Sequence, residues 1–213
     1  MEADFWHERW QQGRIAFHEG APNRHLVDSY ETLALPKAAH VFVPLCGKTV
    51  DLDWLLSKGY RVTGIELNRS AVDGVFERLQ LTPEIERFDS LTRLSASHLV
   101  LWVGDLFKLK ASAIGEVDAI YDRAALVALP PSTRANYTRH LTELCGSVEQ
   151  LLITFDYDQS QTDGPPFSVP EDEVRRHYGQ VYAISRLASV PIYGPLAERC
   201  SGREEAWKLL PLG

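Results

Sequence analysis

The sequence contains little cysteine and no long apolar run, and each shortage excludes a class of protein. Its three cysteines, Cys46, Cys145 and Cys200, are an odd number at wide spacing, which argues against a disulfide framework and against a CxxC metal clip. Uninterrupted apolar stretches, such as residues 41–46, are far too short to cross a bilayer. We therefore expect reduced thiols and no membrane partner.

Positive charge is also scarce. The chain has 22 Lys and Arg against 29 Asp and Glu, a formal net charge of -7, whereas proteins that bind nucleic acid concentrate Lys and Arg to neutralise phosphates. A small-molecule ligand is therefore expected, and no nucleic acid. The acidic first residues are not followed by a hydrophobic run, unlike a signal peptide. The sequence thus predicts a cytoplasmic protein, and nothing in it demands more than a monomer.

Length and patterning indicate the fold class. A chain of 213 residues with 45% hydrophobic and 24% charged residues fits one soluble domain with a single large core. From about residue 39 onward, short apolar runs alternate with amphipathic stretches, which is typical of βαβ units. We predict a single α/β domain over residues 1–213, with a mostly parallel sheet and helices on both faces.

Seven strands and three well-marked helices are predicted. The helices cover residues 51–59, where Gly59 suits a helix end, residues 70–81, and residues 132–145, which Gly146 closes. The last two strands are expected to be antiparallel to each other. The predicted strands are residues 40–45, 60–67, 98–103, 117–121, 150–155, 181–190 and 206–210.

An aromatic segment precedes the predicted sheet. Trp6 and Trp10 are four residues apart and so lie on one face of a helix. Such a stripe serves either as ordinary packing or as a lid over a ligand crevice. The residues alone leave both readings open.

The turn after the first strand is the first place to search for a ligand site, because ligands of open α/β sheets lie beyond the carboxyl ends of the strands. Residues 44–48 contain one glycine, Gly47, and lack the GxGxxG spacing that cradles a pyrophosphate. NAD and FAD are therefore disfavoured. The seven histidines include no HxxxH pair, so no metal site is predicted.

An acidic residue ends the second predicted strand. Glu66 follows Gly47 by nineteen residues, at a position where a carboxylate accepts hydrogen bonds from both hydroxyls of a ribose and repels a 2′-phosphate. Together with the missing phosphate cradle, this indicates an adenosine ligand without phosphates. S-adenosylmethionine is the common cofactor that fits, although a glutamate at a strand end is also often a solvated charge.

Two later positions have a functional and a structural reading each. Asp105 and Leu106 follow the third predicted strand, in the right order to line an adenine pocket, but Asp is also a favoured helix N-cap. Asp122 and Arg123 follow the next strand, at the ligand edge of the sheet, where a structural ion pair is the alternative.

At this point the residues resemble the thiopurine S-methyltransferase family. The resemblance runs from Trp6 to about Phe167 and continues more loosely to the end of the chain. The single-glycine turn is among its most specific parts. The matching strings are residues 6–10 with Gly13 and Phe17, residues 43–48 with Asp51 and Trp54, residues 62–66, residues 122–128 and residues 164–167.

The resemblance implies a class I, Rossmann-like methyltransferase that moves a methyl group from S-adenosylmethionine to a thiol or selenol, leaving S-adenosylhomocysteine. It implies that residues 1–30 form an N-terminal helical lid, and that Phe17 and Arg199 lie near the acceptor. Residues 200–203 differ from the family pattern, so the preferred acceptor, including selenium or tellurium compounds, stays open. The implied cofactor residues are Trp10, Leu45, Gly47, Glu66, Asp105, Leu106 and Arg123.

The expected mechanism needs positioning more than acid–base chemistry. Holding the nucleophile in line with the methyl group is worth roughly 7 to 11 kcal/mol, and an aromatic thiol ionises readily near a cation. Arg123 is the candidate for orienting the cofactor or the acceptor, and no dedicated general base is required. The alternatives are a halide or hydrosulfide methyltransferase and a non-catalytic protein that binds adenosyl ligands.

Overall fold

The computed structural model describes residues 3–12 and 19–213. Two helices, α1 (Ala3–Gln11) and α2 (Arg24–Ser29), come before the first strand, and the remaining helices connect the strands that follow. Short 3₁₀ turns cover Tyr30–Leu33, Leu106–Lys108, Leu126–Ala128, Gln159–Gln161 and Gly194–Leu196. The helices are α1 (Ala3–Gln11), α2 (Arg24–Ser29), α3 (Asp51–Ser57), α4 (Arg69–Arg78), α5 (Ala111–Ile114), α6 (Pro131–Cys145) and α7 (Glu171–Tyr178).

The strands form one sheet in the order β3-β4-β5-β2-β1-β6-β7-β9-β8. From β5 to β7 neighbouring strands are parallel, and the pairs at both edges are antiparallel. The strands are β1 (His40–Val43), β2 (Arg61–Glu66), β3 (Glu84–Phe88), β4 (Leu91–Ala96), β5 (Leu99–Val103), β6 (Ala119–Asp122), β7 (Glu149–Tyr157), β8 (Tyr182–Pro191) and β9 (Gly202–Pro211).

The prediction of seven strands was wrong, because the sheet has nine. All seven predicted strands are present, and the last two, β8 and β9, pair antiparallel as expected. The two strands that were missed, β3 and β4, form a hairpin at one edge. Every residue of β3 is exposed, so this strand has no buried apolar run from which it could be predicted.

Both faces of the sheet are covered, which confirms the predicted α/β class. Successive residues of a strand point to opposite faces: Phe42 of β1 packs in one core cluster and Val41 and Val43 in the other. Helix α6 adds Leu141 to the first cluster, and helix α3 adds Leu52 to the second. Burial on both faces is typical of a central parallel strand.

Glycines end two of the predicted helices as expected. Gly146 has φ 75° and its amide donates to the carbonyl of Thr142 at 2.9 Å. Gly59, with φ 84°, follows α3, and its amide donates to the carbonyl of Leu56 at 2.9 Å. Positive φ costs glycine little, so it suits the reversal at a helix end.

The sheet reverses its order between β1 and β6. The chain runs from β1 to β2 and on to β5 on one side, then returns to the other side with β6 and β7. Such a reversal leaves a crevice at the carboxyl ends of the strands. In the described part of the chain, no helix combines the length and apolar content needed to span a bilayer.

Candidate active site

A cleft of about 990 Å³ opens at this edge of the sheet. Its floor includes Glu66 at the end of β2, Leu45 after β1, and Arg123 and Ala124 at and beyond the end of β6. Phe155 of β7 also lines it. This volume lies at the upper end of the range for small-molecule sites, so the cleft has room for a cofactor together with a small second ligand.

Two non-glycine residues in the floor have left-handed backbone conformations. Leu45 has φ 45° and Ala124 has φ 61°, and each follows a strand that flanks the reversal of strand order. Such conformations cost of order 1 kcal/mol or more for a residue with a Cβ, and they persist where the surrounding structure fixes them, often at functional sites. The sequence argument singled out Leu45 but not Ala124.

The Glu66 carboxylate is held by backbone donors on both sides. Its Oε2 accepts a hydrogen bond from the Gly47 amide at 2.9 Å, and its Oε1 accepts one from the Asn68 amide at 2.8 Å. Burial raises the pKa of Glu66, and these backbone hydrogen bonds lower it in part. The structure therefore brings Gly47 and Glu66 into direct contact.

The residues around Glu66 fit an adenosine group without phosphates. Each carboxylate oxygen has further lone-pair capacity, and Glu66 lines the cleft although only 7% of it is exposed. Leu45, Leu67 and Trp10 also line the cleft. A carboxylate beside apolar walls suits a ribose and a base, and it opposes a diphosphate.

Arg123 points into the cleft and pairs with a residue from the N-terminal part of the chain. Its Nη2 lies 2.9 Å from Oε1 of Glu19, and the Tyr193 hydroxyl donates to the same oxygen at 3.3 Å. Burial disfavours the charged guanidinium, but the surrounding negative groups outweigh burial and raise the pKa of Arg123. Those groups are the carboxylates of Glu19, Asp51 and Glu204; the Tyr121 phenol, whose own pKa burial raises well above its usual value, adds negative charge only once it ionises.

Asp122 does not form the ion pair with Arg123 that was the structural alternative. It is fully buried, and it accepts hydrogen bonds from the Tyr137 hydroxyl at 2.7 Å and from the Leu126 amide at 3.1 Å. Burial raises its pKa to about 6. Asp122 therefore anchors the turn after β6 to helix α6, and the neighbouring Arg123 side chain lines the cleft.

The Asp105–Leu106 pair lies outside the cleft lining. Asp105 is exposed, and its Oδ1 accepts a hydrogen bond from the Phe107 amide at 3.0 Å. This confirms the N-cap reading. Leu106 is buried in the core. The Gly104 amide donates to the carbonyl of Glu66 at 2.9 Å, so the pair begins beside Glu66, and its contact with adenine stays a prediction.

Helix α1 lies over the cleft. Trp6, Arg9 and Trp10 all line it, so the helical spacing of the two tryptophans does place both on the ligand side. Whether this helix opens and closes as a lid stays a prediction. Phe17, the predicted acceptor contact, lies outside the described residues.

Arg199, the other predicted acceptor residue, also lines the cleft. It lies in the segment between β8 and β9, which also contributes Tyr193 and Leu196. Within residues 3–12 and 19–213, no group of three or more His, Cys, Asp or Glu residues could hold a metal ion.

Sequence reasoning missed Glu204 in the cleft wall. It is 3% exposed, lines the cleft, and has its Oε2 3.4 Å from Nε2 of His25. The predicted strand began at residue 206, whereas β9 begins at Gly202. The signal available in the sequence was a pair of glutamates, Glu204 and Glu205, directly before an apolar run.

The family model for thiopurine S-methyltransferase matches residues 1–208. The chain belongs to the thiopurine S-methyltransferase family. A relative of that name from Xanthobacter autotrophicus is 47% identical over 210 residues, covering 98% of this chain and 99% of its own. Another, from Teredinibacter turnerae, is 46% identical over 209 residues, covering 98% and 97%.

Solved structures share the fold at low identity. The Burkholderia thailandensis 1,6-didemethyltoxoflavin-N1-methyltransferase has a TM-score of 0.65 at 16% identity, covering 98% of this chain and 87% of its own. A TehB-like methyltransferase from Corynebacterium glutamicum has a TM-score of 0.58 at 14% identity, covering 98% and 97%. As a member of its family, the present protein is an S-adenosylmethionine-dependent methyltransferase.

Proposed function

We propose that this enzyme methylates the sulfur of aromatic or heterocyclic thiols, including thiopurines. The observation that carries this proposal is one continuous cleft with a buried carboxylate, Glu66, at one end and a guanidinium, Arg123, farther along. The first suits the ribose of the cofactor, and the second suits an electron-rich sulfur. Selenium and tellurium compounds are further candidate acceptors, because a selenolate offers the same kind of nucleophile.

The order of the strands supports separate places for the two ligands. The cleft extends from Glu66 on β2, across β1, β6 and β7, to Glu204 on β9. Neighbouring strands lie about 4.8 Å apart, so four intervals amount to roughly 19 Å. This length suits two ligands in line, with the cofactor beside β2 and β1 and the acceptor beside β7 and β9.

At the cofactor end, Glu66 would accept the ribose hydroxyls, and Leu45, Leu67 and Trp10 would enclose the rest. Gly47 fixes the carboxylate through its amide. Asp105 and Leu106 complete the predicted set on the adenine side. S-adenosylmethionine supplies an activated methyl group on a sulfonium, so the residues of the enzyme have only to hold the acceptor in line with it.

At the acceptor end, Arg123 favours the anionic form of the nucleophile. A nearby cation lowers the pKa of a thiol, and the thiolate is the reactive form. Arg199, which also lines the cleft, would add a second positive charge near the acceptor. A simple thiol can therefore ionise beside Arg123, and its methylation needs no general base.

Apolar side chains form the wall against which a flat ring would pack. We expect these side chains to contribute most to the rate by aligning the acceptor with the cofactor, since fixed orientation of the two reactants is worth roughly 7 to 11 kcal/mol. Helix α1 is proposed to cover the bound ligands as a lid. The apolar wall consists of Val127, Ala128, Ile153, Phe155, Pro165 and Pro166.

We further propose a cytoplasmic monomer that acts on small molecules, without nucleic acid or membrane as partner. All three cysteines are free and buried, which fits a reducing compartment. The net charge of -7 opposes binding to nucleic acid and to anionic lipid.

Transfer from labelled S-adenosylmethionine to a panel of acceptors tests the proposal. The panel is mercaptopurine, thiophenol, selenite, iodide and catechol. We expect the label in mercaptopurine and thiophenol. Transfer to catechol but not to sulfur would overturn the proposal, and transfer to iodide alone would favour a halide methyltransferase.

A further inference from the structure

The acceptor end of the cleft contains a second buried carboxylate, Glu204. It lies opposite Phe155 in the antiparallel pair of β9 and β7. Opposite residues share a face of the sheet, and both line the cleft. The next residue, Glu205, points to the other face, where its Oε1 accepts a hydrogen bond from the Ser189 hydroxyl at 3.0 Å.

No described residue donates a hydrogen bond to the Glu204 carboxylate, whereas that of Glu66 accepts two and Oε1 of Glu205 accepts one, although Oε2 of Glu205 is also buried without a partner. Oε2 of Glu204 is buried and has no hydrogen-bond partner among the residues that the structure describes. Nε2 of His25, 3.4 Å away, is likewise buried without one. Buried carboxylates are normally paired and hydrogen-bonded, so a carboxylate in this state on a cleft wall is suited to a donor carried by the ligand.

Charged and titratable groups around Glu204 come from several elements. His25 approaches from α2, Arg123 from the end of β6, and Tyr193 from the segment after β8. Burial, followed by the negative charges of Glu204 and Glu19, raises the pKa of Tyr193, so this phenol stays protonated. The acceptor therefore meets a cation and an anion at the same end of the cleft.

A cation, Arg123, and an anion, Glu204, at one end of the cleft suit a heterocyclic thione. Many heterocyclic thiols exist in water as thiones, in which a ring nitrogen carries the proton beside a C=S bond. Such a group presents an electron-rich sulfur and an N–H donor side by side. Arg123 suits the sulfur and Glu204 suits the N–H.

We propose that Glu204 binds the ring N–H of a heterocyclic thione and takes its proton during methyl transfer. This inference rests on the proposed function and narrows its substrate class. As the acceptor sulfur forms its bond to the methyl carbon, the bond from that carbon to the sulfonium sulfur breaks and S-adenosylhomocysteine leaves. The N–H electron pair becomes the ring C=N bond, the C=S π pair moves to sulfur, and the proton goes to the Glu204 carboxylate.

The test compares pyridinethione, which has the N–H, with thiophenol, which has none. In Glu204→Gln, the ratio of kcat/KM for pyridinethione over thiophenol should fall at least tenfold. Glu204→Asp, which keeps the carboxylate, should restore part of that ratio. In the matched control Glu205→Gln, a buried glutamate outside the cleft lining, the ratio should stay within twofold of the unaltered enzyme. Equal losses on both acceptors in Glu204→Gln would overturn the proposal.

A binding measurement on the unaltered enzyme covers the case in which Glu204→Gln does not fold. With S-adenosylhomocysteine present, calorimetry should show pyridinethione binding at least fivefold more tightly than N-methylpyridinethione, which has no N–H. Equal affinities would overturn the proposal. If the unaltered enzyme methylates neither thiophenol nor pyridinethione, the proposed function itself fails, which is a separate result.

Discussion

The two ends of the cleft each contain a buried glutamate, and the surroundings of the two differ. Glu66 accepts hydrogen bonds from the amides of Gly47 and Asn68, so the fold fixes it before any ligand arrives. The Glu204 carboxylate accepts no backbone hydrogen bond from the part of the chain that the structure describes, and the side chain that lies against it is His25, at 3.4 Å. The comparison indicates that the cofactor end is preformed by backbone groups close to the strand ends, whereas the acceptor end leaves side-chain charges for the ligand to satisfy.

The largest effect is expected at the boundary of the two ends. Arg123→Ala should lower kcat/KM for thiophenol about 100-fold below the pKa of the acceptor, since a nearby cation lowers the pKa of a thiol, and raising that pKa again by about two units removes about 99% of the thiolate at such pH values. The loss should shrink as pH rises, because the free thiol then ionises without help. Arg139→Ala, an exposed position on α6, serves as control. A loss that does not vary with pH would contradict the electrostatic role.

At the cofactor end, Glu66→Ala should weaken binding of S-adenosylhomocysteine at least tenfold, about 1.4 kcal/mol, as measured by calorimetry. The reason is the loss of the carboxylate that would accept the ribose hydroxyls. Glu77→Ala, an exposed residue of α4, should leave the affinity unchanged. Equal affinities for Glu66→Ala and the unaltered enzyme would place the ribose elsewhere.

Asp122 lies between the two ends of the cleft, and its protonation is expected to affect the free energy of unfolding. Its folded pKa of about 6 lies above the ordinary value, so its contribution to stability is fully present at low pH and is lost as pH rises through 6. Denaturant unfolding should therefore show the unaltered enzyme losing about 1 to 2 kcal/mol relative to Asp122→Asn between pH 5 and pH 7.5. A difference that is constant with pH would mean that Asp122 is charged throughout.

The smallest effect is expected from the pair at the mouth of the acceptor end. Glu19→Gln removes the negative charge that pairs with Arg123, and partly exposed pairs are worth about 0 to 1 kcal/mol. Because Glu19 competes with an anionic acceptor for the guanidinium, KM for thiophenol should fall about two- to fivefold, with kcat little changed. A rise in KM would show instead that Glu19 orients Arg123 for binding.

The same contrast explains what the sequence could predict. Gly47 and Glu66 occupy positions that follow from two apolar strands and the turn after the first, so local pattern was sufficient to find them. Asn68, which caps α4 and donates to Glu66, belongs to the same local arrangement. Arg123 was also found from its place after a predicted strand, and family resemblance then added Arg199; both line the cleft.

Features that depend on contacts between distant parts of the chain were missed. Hairpin β3–β4 is stabilised at a sheet edge without a buried run in β3, and Glu204 is buried only because β9 starts at Gly202 rather than at residue 206. The pairing of Glu19 with Arg123 joins the N-terminal part of the chain to the end of β6. Neither hydrophobic periodicity nor a short motif in the sequence predicts such long-range contacts.

The site of methylation on mercaptopurine tests the central claim most directly, because this ring offers both sulfur and nitrogen atoms. Carbon-13 NMR of the product formed from S-adenosylmethionine with a labelled methyl group distinguishes the two. The proposed position of Arg123 beside the acceptor predicts a methyl group on sulfur. A product methylated on a ring nitrogen, with none on sulfur, would contradict the account.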